Sequence, residues 1–251
     1  MPTLSAIYRY PVKGLSPAPM ASVTLAAGDT LPLDRAYAIE NGTADFDPQA
    51  PRHFPKIKYL MLMRDEKLAA LSTSFDEDGD VLTLERNGKQ VARGALATPV
   101  GRKLIEQFLA AYMKDALRGP PRIVSAPGFS FSDLEAKVVS VLNLASVKDL
   151  ERVVGKPIDA LRFRANIHLE GLEPWVEKNW IGHKARLGNV DVEVRSQTTR
   201  CAAINVNPST GERDMLLPRA LESAFGANTM GLYLTVKSAG TIREGDEFQL
   251  T

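Results

Sequence analysis

Cysteine is nearly absent from this chain: Cys201 is the only one in 251 residues. A single thiol excludes an internal disulfide and a four-cysteine iron–sulfur cluster carried on this chain. Histidine is almost as scarce, and His53, His168 and His183 are scattered without the ligand spacing of a structural zinc site. An excess of one charge sign is missing too. The formal net charge is +1, which gives no global attraction to nucleic acid or to a membrane surface. No apolar stretch approaches the ~18 residues that a membrane span requires. The N-terminus has no basic start followed by an apolar run, so it does not read as a secretory signal. The expected location is therefore cytoplasmic, with neither nucleic acid nor membrane as a partner.

Familiar catalytic signatures are also missing. Gly128-Phe129-Ser130-Phe131-Ser132 lacks the second glycine of a nucleophile elbow, and no phosphate loop of the glycine–lysine–serine kind occurs. Asp76, Asp78 and Asp80 alternate as in a calcium loop. The sixth and twelfth positions of such a loop would be Val81 and Asn87 rather than glycine and glutamate, so the stretch reads as a solvated turn. There is no internal repeat and no low-complexity segment.

What remains is an ordinary globular chain, long enough for one large domain or two small ones. Short strands are expected over 4–12, 22–25, 34–39, 57–63, 68–72, 81–86 and 90–93. The last two flank Asn87-Gly88, a strong hairpin signal. A helix is expected over 98–117, capped by Thr98, with Pro99 in its first turn. Val100, Leu104, Ile105, Phe108, Leu109, Tyr112 and Met113 form an apolar face at helical spacing, read as core. Further helices are expected over 146–155, with Ser146 at the cap and Gly155 at the stop, over 174–180 and over 218–225. Strands are expected over 122–125, 138–142, 182–187, 189–197, 232–237 and 247–250. Residues 41–55 carry three prolines and read as a long surface loop, a candidate lid or docking surface. Many strands and few helices, without βαβ alternation, give a mainly β (α+β) fold with barrel-like sheets in two parts. Gly119-Pro120-Pro121 is the candidate linker, dividing the chain into 1–120 and 121–251.

Two constellations carry chemistry. Cys201 ends a strand-like run, next to Arg200 and after Thr198 and Thr199. Lone cysteines are commonly inert and buried, but a thiol beside a fixed cation can serve as a thiolate, which is both a nucleophile and a ligand for soft metals. Neighbouring side chains on a strand point to opposite faces, so sequence adjacency alone does not bring the two together. The second constellation is Arg162, Arg164 and Asn166, which share one face if their segment is extended and would offer fork-like donors to a phosphate or an anionic heterocycle. A solvated strand edge is the competing reading. Lys13 and Arg35, taken singly, read as surface charges.

Several stretches together resemble the MOSC domain, named for the C-terminal domain of molybdenum cofactor sulfurases. They are Arg162-Phe163-Arg164-Ala165-Asn166-Ile167, Trp180-Ile181-Gly182, Thr199-Arg200-Cys201, Val206-Asn207-Pro208-Ser209-Thr210-Gly211 and Gly240-Thr241-Ile242-Arg243-Glu244-Gly245-Asp246. Tyr10-Pro11-Val12-Lys13-Gly14 and Asp34-Arg35 resemble the β-barrel domain that precedes MOSC in many members. The resemblance implies an N-terminal β-barrel-like domain packed on a β-barrel MOSC domain. It also implies binding of the molybdenum cofactor, a pterin with a dithiolene and a phosphate. Cys201 would supply the thiolate on molybdenum. Lys13, Arg35, Ser146, Arg164, Asn166 and Arg200 match positions that hold pterin and phosphate in the amidoxime-reducing branch, and Thr198 and Thr199 would orient the surroundings of the sulfur. The sequence departs from the pattern at Gly14, where a serine is usual, at Ala165, usually proline, and at Asn207, usually aspartate.

The resemblance therefore implies an enzyme that reduces small N-hydroxylated or N-oxygenated compounds. Its electrons would come from a separate flavin or iron–sulfur partner, because the chain carries no motif for its own. The alternative is a sulfur carrier, with a persulfide on Cys201 delivered to a metal–sulfur cofactor. A β-rich binding module with an inert cysteine is the third reading.

Overall fold

The computed structural model describes residues 1–42 and 45–251. Its strands and helices, in chain order, are β1 (Thr3–Arg9), β2 (Ala18–Met20), β3 (Ser22–Leu25), β4 (Ala38–Asn41), β5 (Ser72–Asp76), β6 (Val81–Arg86), β7 (Lys89–Ala95), α1 (Pro99–Tyr112), β8 (Pro121–Val124), β9 (Val139–Asn143), α2 (Leu144–Val154), β10 (Ile167–Glu170), β11 (Lys184–Leu187), β12 (Val190–Thr199), α3 (Leu217–Phe225), β13 (Thr229–Val236), β14 (Gly240–Arg243) and β15 (Phe248–Leu250). The fold is mainly β with a few helices, as the spacing of turns predicts.

Among the described residues, eight strands form one mixed sheet in the order β15-β11-β12-β13-β9-β10-β1-β2. In β12, Val190, Val192 and Val194 are buried while Asp191 and Arg195 are exposed, the alternation of a half-buried strand. β9 is buried at all five positions, as befits a strand covered on both faces. It runs parallel to β10, and α2 supplies the crossover that a parallel pair needs. The sheet curls but does not close by a full ladder. Its two ends meet through the single bridge Thr3–Glu247 and the bonds Leu4 N to Asp246 O (2.8 Å) and Phe248 N to Pro2 O (2.9 Å). The barrel expected for this half is therefore a curled, unclosed sheet. Its apolar interior draws Leu4, Ile7 and Leu25 from the start of the chain together with Val141, Val192, Leu232 and Phe248 from the second half.

A second layer is built from β5-β6-β7 and α1. The Asn87-Gly88 hairpin forms as expected, with both residues at positive φ (52° and 71°). Helix α1 sits against β7 so closely that a Cβ on Gly101 would lie 2.1 Å from Ala95 O, and one on Gly94 would lie 2.2 Å from Gly101 O. Thr98 Oγ1 accepts from Gly101 N at 3.0 Å and caps the helix. Ile105, Leu109 and Met113 enter the core, but Val100 and Leu104 are 72% and 50% exposed. The expected apolar face is therefore broader than the face that β7 and β8 cover.

Other expectations shift locally. The strand expected over 34–39 starts at Ala38, because Arg35 takes a left-handed turn (φ 52°). The stretch 57–63 is not a strand. Lys56–Lys58 is a single 3-10 turn, and Tyr59 contributes only a bridge to Glu40. Glu66–Ala70 is likewise a 3-10 turn, and the strand follows it. Asn143, not Ser146, caps α2, its side chain accepting from Ala145 N at 2.9 Å, while Gly155 ends the helix at φ 72°. In the 41–55 loop, Thr43 and Ala44 lie outside the described residues. The rest is anchored by buried Phe46, whose ring meets Phe129 and Phe131.

His168 on β10 is 4% exposed, its ring 5.0 Å from Tyr8 and its Nε2 without a hydrogen-bond partner. Burial holds its pKa down at about 4, against the weak opposing pull of Asp159. The unfolded chain therefore binds a proton between about pH 6.5 and pH 4 that the folded chain refuses. Stability should be unaffected by this group above pH 6.5, fall as pH drops through that window, and level off below it, losing about 3 kcal/mol in all. His168→Phe should flatten this limb. Urea unfolding at pH 7 and pH 4.5 checks it, and an unchanged difference between the two pH values for the variant would refute it.

Candidate functional site

The site is a cleft of ≈ 140 Å³ between the curled sheet, through β9, β12 and β13, and the irregular segments around Lys13, Arg35, Lys56, Met61 and Asp133. Six cationic side chains line it, Lys13, Arg35, Lys56, Arg162, Arg164 and Arg200, with only two carboxylates, Asp34 and Asp133. On a chain with net charge +1, this is a local concentration of positive charge with low-dielectric walls.

Strand β12 delivers the thiol. Its register against β13 shifts between Val194 and Ser196 and again between Gln197 and Thr199, and Thr198 is buried. β12 ends at Thr199, and Cys201 flanks the 3-10 turn Ala202–Asn205. The backbone thus leaves the strand after Thr199, ahead of both Arg200 and Cys201. Both side chains then reach one cleft although strand geometry would separate them. Cys201 is partly exposed. Burial works to lower the pKa of Lys56, which lines the same cleft, but the attraction of Asp133 and Cys201 outweighs it and the net shift is upward.

Arg200 is buried. Its Nε donates to Met230 O and its Nη1 to Phe163 O, both at 2.7 Å, leaving Nη2 without a partner. Room for that nitrogen exists because residue 231 is glycine. A Cβ there would lie 3.1 Å from Arg200 Nη2 and 2.4 Å from Val141 O, and φ is 79°. Arg164 also keeps Nη2 unpartnered, as does Thr198 its hydroxyl. Burial lowers the pKa of both guanidiniums to about 10, so both stay charged at neutral pH. Buried donors without acceptors are costly. With Arg162 Nε, four such groups belong to residues that line the cleft.

Tyr10 is the platform for this wall. Fully buried, its ring lies under the guanidiniums of Arg164 (4.3 Å) and Arg35 (4.5 Å). Arg35 also donates from Nη2 to Arg164 O (3.0 Å) and from Nη1 to Asp34 Oδ2 (2.5 Å). The other Asp34 oxygen accepts from Tyr10 N at 2.9 Å. Burial works to lower the Arg35 pKa, but the attraction and hydrogen bond of Asp34 outweigh it and the net shift is upward. Lys13 is 8% exposed and donates to Phe131 O (2.8 Å) and Asp133 Oδ1 (2.5 Å). Burial moves its pKa down, with Asp133 opposing.

The structure brings Cys201, Lys13, Arg35, Arg164, Asn166 and Arg200 to the same cleft. Ser146 is not among the lining residues. Its hydroxyl lies buried inside α2, donating to Glu177 Oε1 at 2.8 Å and accepting from Trp175 N at 2.9 Å. Arg162, Arg164 and Asn166 do not share a strand face. Ala160–Phe163 is a 3-10 turn and Arg164 is left-handed at φ 51°, so the three converge through turn geometry. Arg162 is committed to Asp214 (2.7 Å) and Asn205 O (3.1 Å). Asn166 lines the wall while tying strands together: its Oδ1 accepts from Ser140 Oγ at 2.7 Å and its Nδ2 donates to Tyr8 O at 3.2 Å. Lys56, Asp133 and the methionines Met61 and Met63 also line the cleft and escaped sequence reasoning. No spacing links any of them to Cys201, so only the tertiary fold identifies them.

Residues 127–249 match the MOSC domain family model. Molybdenum cofactor sulfurase of Caenorhabditis elegans is 35% identical over 98 residues, covering 38% of this chain and 14% of that protein. Mitochondrial amidoxime-reducing component 1 of Mus musculus is 28% identical over 128 residues, covering 46% of this chain and 37% of that one. The matched regions thus span well under half the length of these curated relatives. Among solved structures, the YUAD protein from Bacillus subtilis is similar over all of this chain and 96% of its own, at a TM-score of 0.46 and 10% identity.

The Tyr10 platform gives a direct expectation. Its hydroxyl is 3.5 Å from Ala165 O, a long and weak bond, whereas its ring faces two cations. Tyr10→Phe should therefore cost less than about 1 kcal/mol. Tyr10→Leu should cost roughly 2–4 kcal/mol through the lost ring volume and the two cation–π contacts. Chemical denaturation of both variants tests the ranking, and equal losses would show that the hydroxyl matters more than the ring.

Proposed function

We propose, on the premise that residues 127–249 are a MOSC domain, that this chain binds the molybdenum cofactor in the cleft with Cys201 as the protein ligand to the metal. In this reading it reduces small N-oxygenated compounds. The single observation that carries it is the partly exposed thiol on a cleft whose lining includes six cations and four buried polar groups without partners, on Arg162, Arg164, Thr198 and Arg200. The donor set suits such a group. A thiolate matches a soft metal. Among the described residues no His, Cys, Asp or Glu cluster accompanies the thiol, so a metal there would take its other donors from its own organic ligand. Arg164 and Arg200 would meet pterin and phosphate with their free Nη2 atoms, and Lys13 and Arg35 would add charge. Thr198 would offer its unpartnered hydroxyl beside the sulfur.

When bound, the molybdenum group supplies two-electron chemistry and oxygen-atom abstraction. The chain's own residues hold and orient it. Phe163 O and Met230 O fix the Arg200 guanidinium, so little reordering accompanies binding. Tyr10 and Asp34 fix Arg35 and Arg164 in the same way. Electrons come from a separate flavin or iron–sulfur protein. The division into parts 1–120 and 121–251, and a cytoplasmic location, belong to this reading.

A second reading, a sulfur carrier with a persulfide on Cys201, is favoured by the open position of the thiol beside Lys56. Expression in cells that make the molybdenum cofactor separates the two. The first reading expects stoichiometric molybdenum and pterin in the wild type, loss of molybdenum in Cys201→Ala, and reduction of an N-hydroxylated compound by reduced viologen that falls to background in the variant. No molybdenum, with a trappable persulfide on Cys201, would sink it in favour of the carrier.

A further inference from the structure

Of the two carboxylates on the cleft, Asp34 is 4% exposed and committed to Arg35 and to Tyr10 N. Asp133 is different. Its side chain is 45% exposed, and it lies between β8 and β9 in residues 125–138, which form no strand or helix. Its two oxygens are split between two lysines from distant parts of the chain: Oδ1 on Lys13 Nζ at 2.5 Å and Oδ2 on Lys56 Nζ at 3.2 Å. A carboxylate bridging two ammonium groups in this way presents oxygens as two oxygens of a phosphate would. The cations are the fixed partners. Lys13 is buried and also held by Phe131 O, whereas the anion sits at the open end on irregular backbone.

The geometry points to Asp133 as an internal counter-anion that occupies the Lys13–Lys56 pair and is exchanged for the anionic group of an incoming phosphate-bearing ligand. The identity of that ligand as the molybdenum cofactor rests on the function proposed above, but the exchange does not. It follows from the charges. Lys13 is too buried to stand unpaired at low cost, so an anion must be there before the ligand arrives. An anion that is partly exposed and carried on irregular backbone is the one that a dianion can displace. On exchange, the phosphate oxygens take the two ammonium groups, the Asp133 carboxylate turns to water, and no bond or redox state changes. Lys56 then becomes a shared element of the anion site and of the thiol site, since it lines the cleft together with Cys201 and attracts it. The two ends of the cleft are thereby linked through one side chain.

The test uses inorganic phosphate as the probe and calorimetry on the intact chain at fixed ionic strength. Asp133→Asn keeps the shape and removes the competing charge, so its association constant for phosphate should rise about tenfold over wild type. Asp133→Glu restores a carboxylate and should return the constant to near the wild-type value. Asp191→Asn, at an exposed pair with Arg186 on the far hairpin, makes the same change in net charge and should leave it unchanged. Should Asp133→Asn fold poorly, Asp133→Ser serves in its place. Equal or weaker binding by the neutral variants overturns the proposal, as does the absence of phosphate binding in all forms, or an equal gain in Asp191→Asn. Molybdenum content, measured separately, keeps the two questions apart. Cys201-dependent molybdenum without tighter phosphate binding removes the exchange alone, and tighter phosphate binding without molybdenum removes the cofactor reading alone.

Discussion

Everything in the cleft depends on keeping guanidinium groups charged and motionless while largely out of water. Desolvation opposes this, and it is the largest influence on the pKa of Arg35, Arg164 and Arg200 alike. The fold answers with backbone carbonyls rather than with a carboxylate for each cation. Phe163 O and Met230 O hold Arg200, and Arg164 O holds Arg35. A carbonyl accepts a hydrogen bond without cancelling the charge. The positive potential therefore survives, directed at the space in front of the thiol.

The surrounding architecture makes those carbonyls available. Phe163 O is freed by the end of a 3-10 turn, and Arg164 follows it in a left-handed conformation. Gly231 lets β13 pass close to β9 and leaves space for Arg200 Nη2. The platform residue Tyr10 sits just past β1, in the same sheet as the strands that carry the thiol, so the first and second halves of the chain are braced against each other at the site. Arg213 adds a further brace, donating to Ala202 O beside the thiol (3.1 Å) and to Met63 O on the opposite wall (2.8 Å). The likeness to the curated relatives covers 38% and 46% of this chain and a smaller share of each of them, so it is a likeness between parts of proteins.

Local chemistry was legible where it is decided by near neighbours. The hairpin at Asn87-Gly88, the Thr98 cap and the Gly155 stop each depend on conformational preferences of one or two residues. The alternation in β12 exposed the strand that leads to Cys201. Expectations failed where two readings of the same residues compete. Ser146 suits a cap, but Asn143 three residues earlier takes that place, which leaves the serine hydroxyl inside the helix to bond Glu177. The stretch 57–63 has the composition of a strand, yet it follows Pro55 in a turn and finds only one bridging partner.

The sequence by itself determined the mainly β class, the single thiol, the absence of rival metal and hydrolase motifs, and the matching motifs around Lys13, Arg164 and Cys201. These follow from residue type, period and order along the chain. Only the tertiary structure decided which charges face the thiol. Lys56 and Asp133 are far from Cys201 in sequence, and Ser146, which motif order had grouped with the site, is turned away by its helix. The physical reason is that desolvation and orphaned donors are properties of an enclosed space. The walls of that space come from segments whose proximity no local preference encodes.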